Sequence, residues 1–136
     1  MGLSDREFNV DIAACRESFA AREAKRLAER EKRRQAALEA AIKALKAILP
    51  HYGKVRRAYL FGSVVRSGAF RLDSDVDVAV EGIEAADYFA LWRDLERAMP
   101  DWQVDLRDLV PGTHFARRVQ MEGRLIYEGK DSGAES

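Results

Sequence analysis

Between Asp5 and Leu49 the chain carries neither glycine nor proline, and alanine, glutamate, arginine, lysine and leucine dominate. Such a run commits this stretch to helix, because these residues lose little on entering one. Its character changes along its length. Ala37-Leu38, Ala41-Ile42, Leu45 and Ile48-Leu49 recur at three- and four-residue spacing, an apolar stripe that must pack on something. Between Arg22 and Arg34 the only large apolar residue is Leu27, amid Arg22, Lys25, Arg26, Arg30, Lys32, Arg33 and Arg34, with Glu23, Glu29 and Glu31 interspersed. Pro50 ends the helix and Tyr52-Gly53 turns the chain.

The remainder alternates strand and helix signals. Arg57 to Gly62 reads as a strand, with Ala58 and Leu60 on one face and Tyr59 and Phe61 on the other. Asp75 to Val80 is the next strand. Ala85 to Met99 places Tyr88, Leu91, Trp92, Leu95 and Met99 at helical spacing, and Gln103 to Leu109 is a third strand. Thr113 to Met121 reads as a helix capped by Thr113 or the Pro111-Gly112 turn, and Arg124 to Tyr127 as a short last strand. The expected fold is α+β, a small mixed β-sheet with helices packed on one face, preceded by the long N-terminal helix. Its divisions are an N-terminal helical extension at 1–49, a catalytic domain at 50–129 and a disordered tail at 130–136.

Alternation decides what the second strand can do. Val76, Val78 and Val80 look toward the core, so Asp75 and Asp77 share the opposite face. Two carboxylates side by side repel unless a cation lies between them. A hard ion suits such a pair, and Mg²⁺ binds through one or two carboxylates plus substrate phosphates. Upstream, Gly62 lets backbone approach a phosphate, Ser63 adds a hydroxyl, and the amides of the following turn add donors. Arg66 and Gly68 follow. Downstream, Asp105 between Val104 and Leu106 again points away from a buried face. Three strand carboxylates on one sheet surface fit two-metal phosphoryl chemistry, with one ion on a triphosphate and the other lowering the pKa of an attacking hydroxyl. Asp105 is then the third ligand and assists deprotonation.

Gly62-Ser63, Arg66, the run Ser74 to Val80 and Val104-Asp105-Leu106 together resemble the DNA polymerase beta superfamily of nucleotidyltransferases, in particular its small single-domain "minimal nucleotidyltransferase" branch. The resemblance covers roughly residues 57–128. One departure is that Ser63 and Asp75 are separated by eleven residues, one more than the usual pattern, with Ser67 intervening between Arg66 and Gly68. The resemblance implies Mg²⁺-dependent transfer of AMP from ATP to a hydroxyl of a partner macromolecule. In the antitoxin half of a toxin–antitoxin pair, that acceptor is a tyrosine of a HEPN-type toxin. It assigns Asp75, Asp77 and Asp105 to metal binding and catalysis, with two Mg²⁺ ions, and Gly62, Ser63 and Arg66 to the nucleotide. The rival reading is a non-catalytic antitoxin that neutralises its partner by sequestration through the N-terminal helix.

Other features constrain the setting. With 136 residues the chain is one domain's worth, and 23 basic residues balance 23 acidic ones, so overall charge points neither toward nor away from nucleic acid. Cys15 is the sole cysteine, which excludes an internal disulfide. No apolar run approaches the roughly 20 residues that span a bilayer, and a cytoplasmic protein is the expectation. His51, His114 and Cys15 have no partner at catalytic spacing. Arg117 and Arg118 read as a solvated face, and Tyr88, Trp92 and Trp102 as core. For the basic stretch from Arg22 to Arg34, a charge-laced solvated face, partner docking, self-association and RNA contact all stay open, the last disfavoured by the absence of interleaved aromatics.

Overall fold

The computed structural model describes residues 5–130, with side chains from Ile12 onward. The expected tail thus lies, beyond Lys130, outside the described residues. Helix α1 spans Asp5–Ile48 and runs into a 3₁₀ turn at Leu49–His51. Strand β1 (Arg57–Phe61) leads into a second 3₁₀ turn, Gly62–Val65. Then follow β2 (Val76–Glu81), α2 (Ala85–Ala98), β3 (Val104–Asp108), α3 (His114–Glu122) and β4 (Arg124–Glu128). The Thr113 hydroxyl caps α3 by accepting from the Ala116 amide.

The strands form one sheet in the order β3-β2-β1-β4. It is mixed, as expected: β1 runs antiparallel to both β2 and β4, while β2 and β3 are parallel and joined across α2. The second strand begins at Val76 rather than Asp75. Its antiparallel partner β1 ends at Phe61, opposite Asp77, so Asp75 has no neighbour on that side.

The apolar stripe of α1 does what its spacing requires. Ala37, Ala41 and Leu45 are fully buried and pack with Leu91 and Leu95 of α2 on the sheet face that presents Ala58, Leu60, Val76, Val78 and Val80. The small alanines let the helix lie close to the strands, and the leucines fill the remaining volume. On the opposite face, Tyr59 and Ala79 form a smaller cluster with Leu109 and with Ala116 and Val119 of α3. That cluster covers only one end of this face, and the aspartates occupy the other.

From Ala13 to Glu29 every residue of α1 except Glu23 is exposed. The helix, about 66 Å long at 1.5 Å per residue over its 44 residues, therefore projects well beyond the sheet. No helix among the described residues is long and apolar enough to cross a membrane.

Candidate active site

Strand β1 ends in extended backbone at Phe61, and Gly62 then adopts φ +75°. Only glycine enters this region without strain. Position matters as much as conformation, because a Cβ on Gly62 would lie 2.4 Å from Oδ2 of Asp77. The sequence assigns the missing side chain to phosphate access; the space it leaves is filled by the Asp77 carboxylate. Ser63 follows in the 3₁₀ turn, half-buried, its carbonyl accepting from the Arg66 amide at 3.2 Å.

Asp77 and Asp105 are register partners across the parallel pair β2 and β3, so their side chains rise from the same sheet face on adjacent strands. Asp75 stands at the entrance to β2, two residues upstream. Burial, then the Asp105 charge, then the Asp75 charge push the Asp77 carboxyl up to about 6, while Arg107 pulls the other way. Both other acids therefore act on Asp77 through space. Asp105 turns Oδ2 toward Arg107, whose Nε donates to it at 3.3 Å. Among the described residues no group of three acidic, histidine or cysteine side chains converges closely enough to hold a metal ion. The donor chemistry fits a hard divalent cation, since it is all oxygen and carries repulsion that a cation relieves.

Beside the turn opens a cleft of about 160 Å³ between β1 and α3, with Gly62, Arg66, Phe115 and Arg118 in its walls. Phe115 packs edge-to-face on Phe61, with centroids 5.5 Å apart. Arg66 thus stands in the cleft wall beside Gly62. Arg118, which the sequence reading left on a solvated face, shares the cleft with it. The signal that could have found Arg118 is its three-residue spacing from Phe115, which puts both on one helix face.

A sequence profile of polymerase beta nucleotidyltransferases matches residues 43–132. The chain belongs to this family. It is also similar to solved structures of toxin–antitoxin complexes. One, a toxin–antitoxin with AMP-PNP, is 28% identical at TM-score 0.51, covering 68% of this chain and 74% of that one. A second, a mutant of the pair MntA–HpeT, is 26% identical at TM-score 0.50, covering 68% and 75%. A third, a tri-AMPylated Shewanella oneidensis HEPN toxin in complex with MNT antitoxin, is 27% identical at TM-score 0.47, covering 75% and 77%. No curated protein sequence matches the chain significantly.

The loop in which this nucleotidyltransferase departs from the family pattern is tied down by α1. Arg34, almost wholly buried, donates from Nη1 to the Val64 carbonyl at 3.0 Å and pairs through Nε with Glu31. Glu31 in turn accepts from the Ser67 hydroxyl at 2.9 Å, and Arg30 Nε donates to the Phe70 carbonyl at 3.3 Å. The Arg34 and Ser67 hydrogen bonds hold the Glu31 carboxyl below its ordinary value. Ser67, the residue that interrupts the Arg-Gly pattern, is thus one of the anchors. Arg34, within the basic stretch of α1, is neither solvated nor free for a partner: it fixes the turn beside the acids. These contacts span 30 to 40 residues, beyond the reach of local patterns. The one available signal is that Arg34 continues the Leu38, Ala41, Leu45 stripe.

The edge strand of the nucleotidyltransferase sheet is held as well. Trp92 Nε1 donates to the Val104 carbonyl at 2.8 Å, and the Tyr88 hydroxyl donates to the Leu106 carbonyl. Asp105 lies between those two residues, so α2 fixes β3 on both sides of the acid. The sequence placed Tyr88 and Trp92 in the core, where their rings do pack, but gave no sign of the hydrogen bonds.

Proposed function

We propose that this chain is a Mg²⁺-dependent nucleotidyltransferase of the cytoplasm that transfers AMP from ATP to a hydroxyl of a HEPN-type toxin, and so acts as its antitoxin. The observation that carries the reading is the pairing of Asp77 with Asp105 across β2 and β3, directly beside the Gly62 turn. Family membership supports nucleotidyl transfer. The similar toxin–antitoxin structure containing AMP-PNP supports an adenine triphosphate and a protein partner.

Residues 50–129, with the part of α1 packed on the sheet, form the catalytic unit. Asp75, Asp77 and Asp105 would hold the cation. Once bound, Mg²⁺ neutralises triphosphate charge and lowers the pKa of the acceptor hydroxyl. The turn amides after Gly62 and the Ser63 hydroxyl take the phosphate oxygens, and Arg66 and Arg118 add positive charge from the cleft walls. Asp105 receives the acceptor's proton. The acceptor oxygen then bonds to the α-phosphorus as the bond to the β-phosphate oxygen breaks, and pyrophosphate leaves. Phe61 and Phe115 border the cleft on its apolar side.

The test is transfer of label from α-labelled ATP to a co-expressed HEPN-type protein. The wild type labels the partner in the presence of Mg²⁺, and Asp75→Asn with Asp77→Asn does not while keeping its fold by circular dichroism. Undiminished labelling by the double variant would end this reading.

A further inference from the structure

The family match begins at residue 43, so the projecting part of α1 lies outside it. That part is a poor candidate for a bare helix in water. Phe19 is 61% exposed and Leu27 50%, and in proteins most helical stability comes from packing an apolar face. Where α1 approaches the loop before β2, a groove of about 520 Å³ opens, with Arg26, Arg30 and Arg33 on the helix side and Arg71 and Leu72 on the loop side. Two carboxylates, Glu29 and Asp73, also line it, against four guanidinium groups. Nε of Arg33 is buried there with no hydrogen-bond partner among the described residues. Among the described residues Arg26 pairs with Glu23, in an exposed contact of little energetic weight.

The helix itself carries a segment that complements the groove. Ile12, Cys15, Phe19, Arg26, Arg30 and Arg33 follow at intervals of three, four or seven residues, so they share one helix face. Along this helix the charge is polarised: Asp5 to Glu17 holds four acids and two bases, and Arg22 to Arg34 holds seven bases and three acids. We propose that two copies of the chain pair by antiparallel packing of α1, the acidic half of each helix seated along the arginine groove of the other. A two-fold arrangement satisfies both grooves at once, whereas parallel pairing sets basic half against basic half. In the register that brings Asp11 level with Arg26, Glu7 comes level with Arg30. Phe19 of each copy then lies level with Ser18 of the other at the symmetry axis. The paired length is about 40 Å of helix. The sparse aromatics and exposed Leu72 suit an amphipathic helix better than a nucleic-acid strand, which needs stacking surfaces.

The full-length chain is examined by light scattering and sedimentation at micromolar concentration. A species of twice 15.4 kDa is expected. Asp11→Arg and Arg26→Glu each weaken the dimer by about tenfold or more, close to 1.4 kcal/mol, and the charge-swapped double variant recovers it. Under oxidation, Phe19→Cys in a Cys15→Ser background cross-links across the axis. Native Cys15 does not, because in this register its counterpart is displaced by seven residues, about 10 Å, outside the disulfide range of about 4.4–6.8 Å between Cα atoms. A monomeric wild type, a double variant that stays monomeric, or cross-linking through Cys15 would overturn the inference. So would a monomer whose groove binds oligouridylate. This inference is independent of the transferase reading, since an active monomer defeats it alone.

Discussion

Gly62 and Asp77 occupy one space: the glycine's left-handed backbone and missing side chain leave the volume that the aspartate carboxylate fills, with 2.4 Å between Oδ2 and where a Cβ would stand. Gly62→Ala therefore meets two costs, about 1–3 kcal/mol for a side chain in that backbone region and displacement of Asp77. The two separate in a double-mutant cycle. In an Asp77→Ala background the substitution costs only the backbone part, so urea denaturation of the four proteins shows coupling between the positions. Strict additivity would mean that the carboxylate does not depend on the glycine.

Burial and two neighbouring carboxylates raise Asp77 to about 6 from an ordinary value of 3.8. In the folded state the proton is held more tightly than in the unfolded chain, so stability falls as pH rises from about 4 to about 6 and stays reduced above. Asp77→Asn is consequently more stable than wild type at pH 7–8, and the difference closes near pH 4. Solvent reaching the half-buried carboxyl reduces its size. Thermal melts across this range check the sign. Added Mg²⁺ raises the wild-type melting temperature more than that of the variant, and more at pH 8 than at pH 5.

Arg34 links α1 to the Gly62–Val65 turn by its bond to the Val64 carbonyl. Arg34→Met keeps much of the buried aliphatic volume but leaves that carbonyl and Glu31 without their partner. A loss of about 1.5–3 kcal/mol is expected for a hydrogen bond from a charged group. Amide exchange should rise between residues 62 and 70, and not in β4, on the far edge of the sheet. Uniformly faster exchange would assign Arg34 to global stability alone.

The stripe of α1 gives the reference for an ordinary core contact. Leu45 is fully buried, and Leu45→Ala is expected to cost about 2–5 kcal/mol in urea denaturation. A cost under about 1 kcal/mol would show that the helix packs loosely on the sheet.

How far these relationships could be read beforehand depends on their range. Periodicity located all four strands and three helices to within a residue or two, because alternating valines and the Ala37 to Leu49 stripe answer to local geometry. The same alternation put Asp77 and Asp105 on one face, and parallel pairing made them neighbours. Hidden from pattern were the contacts made by long polar side chains across the fold: Arg34 to Val64, Ser67 to Glu31, Trp92 to Val104. None repeats with a period. Arg118 is exposed on its short helix, as its pattern indicates, and its place in the cleft wall opposite Arg66 shows only once the facing turn is in place.

The clamp on β3 separates positioning from stability. Trp92 and Tyr88 hydrogen-bond the carbonyls of Val104 and Leu106 on either side of Asp105. Trp92→Phe retains most of the ring's packing and removes the Nε1 donor, a loss of about 1 kcal/mol for a neutral hydrogen bond. Tyr88→Phe does the same at the other carbonyl. If these bonds hold Asp105 where it receives the acceptor proton, the double variant loses far more in the rate of nucleotide transfer than its stability change accounts for, because displacement near 1 Å can cost a hundredfold. The loss falls on kcat rather than on KM for ATP, since Gly62, Ser63 and Arg66 lie on other elements. A matched fall in stability and rate, with KM rising, would instead mean that α2 supports the sheet and nothing more.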